Sequence, residues 1–292
     1  MPELPEVETI VQGLRREVIG KTIGDIWTDW PKYLKSSSGE KSFKKNLIGR
    51  KILDIKRRAK NIIFYLSGDY VLLVHQKMTG HLMVGKWELA NGKWESVKKG
   101  PLADDWANIY VRFLVRFSDG AMMALSDVRR FAKIVCGRAE EVFGLPDFKG
   151  LGPEPLAKDF TFKKLKDLFQ NKKGKIKQIL MNQSFISGIG NIYADEILWF
   201  SKIHPLTRAE NLNETKLKIL YKAIKFILIK AIKLRGSSID DYRDVYGEKG
   251  NYSNTRYVYQ RTGEKCRRCG TMIKKIVVGG RGTHYCPKCQ KD

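Results

Sequence analysis

No apolar run in this 292-residue chain approaches the ~18 residues that a membrane-spanning helix needs, and no basic-faced amphipathic anchor dominates it, so a membrane surface is a poor partner. The first residues are acidic and lack an apolar core; a secretory signal is therefore not expected, and the expected location is cytoplasmic or otherwise internal. No internal repeat is visible, which argues against a solenoid. Acidic residues are scarce beside basic ones: 31 Asp and Glu face 55 Lys and Arg, a net charge of +24. An ordinary solvated surface does not account for so large an excess, and a polyanionic partner is implied, with nucleic acid ahead of membrane. The second half is the more basic, with 29 basic and 13 acidic residues in 151–292 against 26 and 18 in 1–150. Cysteine is rare except at the end, where four of the five fall within 24 residues; in a reducing compartment such a cluster reads as a metal site before it reads as disulfides.

What is present fits about two folded domains, with 42% hydrophobic residues. Val7, Ile10, Val11, Leu14 and Val18 recur at helical spacing, with Glu6 and Glu8 in the first turn, Arg15 and Arg16 in the last and Gly20 as the stop, which predicts a helix over 5–19. Short runs rich in Ile, Val, Phe and Tyr follow at 51–56, 61–66, 71–76, 110–117 and 121–125, and turn residues at 67–69 and 118–120 predict two hairpins. Residues 86–106 carry tryptophan and glycine without a clear period. From 162 onward the period is helical, over 162–170, 175–183, 191–201 and 214–235. The expected domains are 1–143 (helix and β-sandwich), a linker at 144–157, a helical domain over 158–260 with a loop at 236–256 that reads as mobile, and a finger at 261–292.

Three features carry chemistry. Pro2 becomes a terminal secondary amine if Met1 is removed, and an α-amino group titrates near ~8 against ~10.4 for lysine, so more of it is nucleophilic at neutral pH. The plainer reading is that Pro2 and Pro5 stiffen the start of a helix. Cys266-x2-Cys269 and Cys286-x2-Cys289 are separated by sixteen residues, enough for a β-hairpin, and two such knuckles close a tetrahedral site. Structural zinc is the favoured ion, ahead of an iron–sulfur centre or paired disulfides; Arg281 lies at the expected hairpin tip, placed either to enter a DNA groove or to be solvated. Gly188, Ile189, Gly190 and Asn191 precede a helix, a geometry that holds phosphate, though Asn191 is equally an N-cap residue.

These residues, taken with the segments 2–9, 57–60, 75–80, 127–131, 151–155, 188–196, His204-Pro205 and the cysteines, resemble the formamidopyrimidine-DNA glycosylase and endonuclease VIII family of DNA repair enzymes, and the formamidopyrimidine-DNA glycosylase branch more closely. The resemblance implies an α+β multidomain fold: an N-terminal helix plus antiparallel β-sandwich, then a helix-two-turn-helix domain with a four-cysteine β-hairpin zinc finger, and DNA in the cleft between the halves. It implies a monomer that binds damaged double-stranded DNA with no obligate protein partner and one structural Zn2+ on Cys266, Cys269, Cys286 and Cys289.

In that scheme Pro2 attacks C1′ of an extruded nucleotide, Glu3 handles protons, and Lys60, Asn191 and Arg281 grip phosphates, with Lys60 and Arg281 counted alongside Pro2 and Glu3 in the reacting set. Met78, Arg129 and Phe131 fill the gap left by the flipped base, Arg129 facing the orphaned cytosine; core packing is the competing reading for Met78 and Phe131. Glu6 matches a further acidic position that orients the N-terminus. Val128, Gln76 and Lys265 depart from the residues usual at their positions, and 86–106 is longer than in compact members. The implied reaction is removal of oxidised purines, 8-oxoguanine opposite cytosine and formamidopyrimidines, followed by β,δ-elimination. Rival readings are a glycosylase for oxidised pyrimidines and a non-catalytic zinc-finger binder of damaged DNA.

Overall fold

The computed structural model describes residues 1–35, 40–97, 100–104, 106–239 and 241–291, and the chain divides into two compact units, Met1–Lys149 with Leu234–Asn251, and Gly150–Lys233 with Tyr252–Asp292. The first unit opens with helix α1 (Leu4–Val18), whose Val7, Ile10, Val11, Leu14 and Val18 are all buried, as their spacing predicts. It continues through β1 (Ile23–Thr28), β2 (Leu34–Lys35), α2 (Glu40–Leu47), β3 (Ile52–Arg58), β4 (Asn61–Leu66), β5 (Tyr70–His75), β6 (Gly80–Gly85), β7 (Trp87–Ala90), β8 (Lys93–Ser96), β9 (Val111–Phe117), β10 (Met122–Asp127) and β11 (Lys133–Arg138) to the short helices α3 (Ala139–Gly144) and α4 (Pro146–Lys149).

Two sheets form the sandwich, in the orders β1-β9-β10-β6 and β2-β11-β5-β4-β3, antiparallel except for the parallel β2–β11 pair. Their inner faces share one core with α1, which includes Ile55, Phe64, Val74, Leu82, Phe113 and Ile134. Both expected hairpin turns form, between β4 and β5 and between β9 and β10. The segment 86–106, within which 98, 99 and 105 lie outside the described residues, contains a further hairpin, β7–β8, turned by Asn91 and Gly92 at positive φ (51° and 76°). Its Trp87 and Trp94 join Trp27, Met83 and Leu114 in a separate small core.

The loop expected to be mobile is instead built into the first unit over Leu234–Asn251. Val245 is fully buried in the sandwich core, and its carbonyl accepts from the Val84 N–H at 2.9 Å. Tyr246 Oη donates to Glu17 at 2.9 Å, and Asp244 pairs with Arg235 while accepting from the Tyr246 and Glu248 N–H groups. Isolated apolar residues among Gly, Asp and Ser carry no period, so sequence pattern did not reveal this burial. Asp240 lies outside the described residues.

The second unit contains α5 (Phe162–Phe169), α6 (Ile176–Met181), α7 (Asn191–Phe200) and α8 (Glu214–Lys233), then the hairpin β12 (Lys274–Val278) and β13 (Arg281–Tyr285). Thr161 caps α5, its Oγ1 accepting from the Lys164 N–H. The proline-rich stretch before α5 is held rather than free: Gly152 N–H donates to Gln183 O at 2.8 Å and Ser187 N–H to Pro153 O at 3.1 Å. A Cβ on Gly152 would meet the Ser184 carbonyl at 2.6 Å, so this close approach requires glycine. Among the described residues no helix is long and apolar enough to cross a membrane.

Candidate functional site

At the start of α1, Pro2 and Glu3 are buried while Met1 is 37% exposed. The Glu6 carboxylate fixes this corner from both oxygens: Oε2 accepts from the Glu3 N–H at 2.9 Å and Oε1 from the Ser237 N–H at 2.7 Å. Gly236, at φ +78°, lies so close that a Cβ there would sit 2.7 Å from Glu6 Oε1. Tyr242 is buried over the same turn, and burial first, then the negative Glu6 and Asp244, raise its phenol well above the usual range.

Lys60 follows Ala59, which has φ +56°, in the β3–β4 turn and is buried. Arg57 ties that turn to α1, with Nε donating to Glu8 Oε2 and Nη1 to the Ala59 carbonyl. The largely buried His75, within a segment that carried the resemblance but not itself singled out, stands in the field of Lys60. Burial first, then the charges of Lys77 and Lys60, push its imidazole down to about 3, and its Nδ1 accepts from the Lys77 N–H at 3.0 Å. A neutral Nε2–H tautomer follows. Because the folded value lies below the unfolded ~6.5, this group's stabilising contribution is complete above pH 6.5 and is lost as pH falls towards 3. About 2–3 kcal/mol is expected to go between pH 6.5 and 4.5 through this group. Denaturant unfolding at those two pH values should show a smaller drop for His75→Gln.

Met78, Arg129 and Phe131 lie on two neighbouring loops, 76–79 between β5 and β6 and 128–132 between β10 and β11. His75 pairs with Lys133 at one end of these crossovers and Gly80 with Asp127 at the other. Met78 is 40% and Phe131 52% exposed, which removes core packing as their explanation. The Arg129 guanidinium lies 4.8 Å from the Phe131 ring centroid.

In the second unit, Asn191 opens α7 and its Nδ2 donates to Gly282 O at 3.1 Å and Tyr259 Oη at 3.4 Å. Its amide therefore links the helix N-terminus to the finger hairpin, and brings in Tyr259, a residue without a distinguishing signal in the sequence. Arg281 is exposed as the first residue of β13, beside the turn rather than at its tip, which Gly279 and Gly280 form at φ 56° and 71°. Lys177 and Asp195 form a fully buried ion pair at 2.7 Å; Asp195 also accepts from the His284 N–H and Lys177 donates to Thr283 Oγ1, which fastens the hairpin to α6 and α7. Glu196 accepts from the Tyr257, Val258 and Tyr259 N–H groups and from Tyr252 Oη, fixing the segment leading into the finger.

The four thiols of Cys266, Cys269, Cys286 and Cys289 lie within 4.8 Å of one another. Zn–S bonds of about 2.3 Å in a tetrahedron need sulfurs a little under 4 Å apart, so the set fits one zinc ion. Backbone N–H groups of Arg268 and Cys289 point at Cys266 and Cys286 sulfur, and Trp199 Nε1 donates to Cys266 Sγ at 3.4 Å; such donors suit thiolate ligands. With every position filled by protein, the ion is structural. His284 is committed to Asp195 and is not a ligand.

Known proteins agree with this arrangement. Residues 1–134 match the formamidopyrimidine-DNA glycosylase N-terminal domain, 151–243 its H2TH domain, and 263–291 the zinc finger found in FPG and IleRS. The formamidopyrimidine-DNA glycosylase of Protochlamydia amoebophila is 40% identical over 100% of both chains, and that of Chloroflexus aurantiacus 39% identical over 99% of this chain and 98% of its own. A mutant Lactococcus lactis FPG in a complex with Fapy-dG-containing DNA superposes with a TM-score of 0.87, and the wild-type protein with oxidized-pyrimidine-containing DNA with 0.86, each at 35% identity over 100% of both chains. With its sandwich, helical domain and four-cysteine finger matched from end to end, the chain belongs to the formamidopyrimidine-DNA glycosylase family of DNA repair enzymes.

Proposed function

We propose that this protein is a bifunctional DNA glycosylase and abasic-site lyase that removes oxidised purines, 8-oxoguanine opposite cytosine and formamidopyrimidines, from double-stranded DNA in the cytoplasm. Once Met1 is removed, the Pro2 amine attacks C1′ of an extruded nucleotide, the glycosidic bond breaks and the base leaves with a proton. Ring opening gives a C1′ iminium. Loss of a proton from C2′ then expels the 3′-phosphate, a second elimination expels the 5′-phosphate, and water hydrolyses the remaining iminium to free Pro2 and the unsaturated sugar aldehyde, leaving a one-nucleotide gap with phosphate at both ends. Glu3 serves the proton transfers, Lys60, Asn191 and Arg281 hold phosphates, and Met78, Arg129 and Phe131 occupy the vacated stack.

The start of α1 carries this reading: a proline beside a carboxylate, both buried, with the next backbone N–H clamped by Glu6. Glu3 and Glu6 also form the capping box of α1, so what goes beyond a helix start is Pro2 buried beside Glu3 and the Ser237 N–H on Glu6 Oε1. The solved Lactococcus lactis complex with oxidized-pyrimidine-containing DNA favours a second reading in which pyrimidine lesions are also taken.

Borohydride trapping on end-labelled duplexes tests both. Adduct and nick are expected first with 8-oxoguanine opposite cytosine, and less with 8-oxoguanine opposite adenine. Faster trapping on 5-hydroxycytosine duplexes would establish the pyrimidine reading instead. Tight, salt-sensitive binding with no adduct on any duplex would leave a non-catalytic binder.

A further inference from the structure

Two sheet-to-sheet crossovers, 76–79 and 128–132, carry the three side chains assigned to the vacated stack, and one buried carboxylate joins them. Asp127 is completely buried at the end of β10. Its Oδ1 accepts from Thr79 Oγ1 at 2.6 Å, in the loop that carries Met78. Its Oδ2 accepts from the Ala132 N–H at 2.8 Å, in the loop that carries Arg129 and Phe131, and from Tyr33 Oη at 2.9 Å. Thr79 closes the circuit, because the same Oγ1 accepts from the Arg129 N–H at 3.1 Å. Arg130, between the two exposed side chains, sits at φ +56°, a conformation that arginine adopts only when its surroundings impose it. Its guanidinium lies 4.4 Å from the Trp30 ring centroid and near Asp29, which Arg112 also holds. The segment 29–33 thus grips the second loop twice, through Arg130 and through Tyr33 on Asp127.

We propose that Asp127 is the positioning residue of the gap-filling side chains and that Tyr33 is its support, so that Met78, Arg129 and Phe131 enter the duplex as one preset unit. This rests on the reading that those three residues replace the flipped nucleotide. A single carboxylate bonded to both loops couples their positions, and the closed circuit removes conformers that would otherwise have to be frozen out when DNA binds. A core aspartate with a purely structural task has no need to hold two exposed loops through their side chain and backbone at once.

Zinc-loaded Asp127→Asn, Tyr33→Phe and Thr79→Val proteins are to be compared in single-turnover assays on two duplexes, one with 8-oxoguanine and one with a preformed abasic site, each opposite cytosine. Asparagine can keep the Ala132 N–H only by turning its NH2 towards a hydroxyl, Thr79 or Tyr33, which must then rotate away from the bond it donates now, so the circuit loses a member and excision of 8-oxoguanine should slow on the order of 10–100-fold. Cleavage at the abasic site, where no base has to be evicted, should slow several-fold less. The preference for cytosine over adenine opposite the lesion should shrink, because Arg129 is no longer held towards that base. Tyr33→Phe and Thr79→Val should shift all three readouts the same way with a thermal midpoint near that of the parent. In a Phe131→Ala background Asp127→Asn should cost little more, since the loop it positions has lost its wedge. Parallel loss on both duplexes with unchanged opposite-base preference, or full additivity with Phe131→Ala, would reduce Asp127 to a fold residue and overturn the proposal. Failure of the parent protein on both duplexes would instead refute the glycosylase reading itself.

Discussion

A Pro2→Gly variant is expected to excise 8-oxoguanine on the order of 100-fold more slowly than the parent while binding lesion duplex about as well. Glycine in place of proline keeps an amine at the same atom but changes two of its properties. The ring that fixes rotation about N–Cα, and with it the direction of the nitrogen lone pair, is lost, so the amine must be oriented at the moment of reaction. The secondary amine becomes primary, which leaves a competent but less basic and less preorganised nucleophile. Glu3 is unchanged, and its N–H stays clamped to Glu6 Oε2, so α1 keeps its start and the variant should fold. Cleavage of a preformed abasic site should fall less, because the open aldehyde is a better electrophile than a glycosidic carbon. A companion protein in which Met1 cannot be removed is expected to give no trappable adduct at all, since the amine is then displaced by a residue and Pro2 nitrogen is an amide. Equal trapping by parent and Met1-blocked proteins would assign the nucleophile elsewhere, with Lys60 the first residue to examine.

The parts of the fold that sequence made legible are those whose signal is local. Apolar spacing in 4–18 and the turn residues at 67–69 and 118–120 act on their immediate neighbours, and α1 and two hairpins stand where they indicate. The cysteine spacing was legible for the same reason: each knuckle is set within four residues. Partners distant in sequence were not legible. Glu6 reaches Ser237, and Val245 packs so tightly on Gly13 that an ideal Cβ there would lie 2.4 Å from its side chain, yet nothing in 236–251 marks those residues as core. Asp127 was visible as part of a motif, but its three donors come from positions 33, 79 and 132, and only β6–β10 and β5–β11 pairing brings the two loops together. Residue types at the site came from resemblance; their coupling comes from the fold. Tyr259 and Lys177 illustrate the gap, since an aromatic and a lysine in a basic chain carry no signal until Asn191 and Asp195 are seen beside them.

Removing zinc is expected to unfold residues 263–291 while the sandwich of the first unit stays folded. The finger has little else to hold it: its apolar core is Trp199, Val258, Ile273 and the cysteines themselves, and Val277 points to solvent at 72% exposure. Structural zinc contributes about 10–16 kcal/mol in finger peptides, far more than so small a core supplies by burial. Loss of the hairpin also strips Lys177 and Asp195 of Thr283 and His284, which opens a buried ion pair to water and loosens α7 at Asn191. Trp199 reports the change directly. It stacks on Tyr257 at 4.3 Å, carries the Arg268 guanidinium at 3.9 Å and donates to Cys266 sulfur, so chelation under reducing conditions should red-shift and change its emission. Trypsin should then cut among the basic residues of the finger and spare 52–138. Duplex affinity should fall at least about tenfold, and if Arg281 holds a phosphate as proposed above, the dependence on salt should flatten, the slope dropping by about one for each phosphate that a cation no longer neutralises. A Cys286→Ser protein should behave like the chelated parent without chelator. A chelated protein that keeps trypsin resistance and the full salt slope would mean that hydrogen bonds to α6 and α7, rather than the metal, hold the hairpin in place.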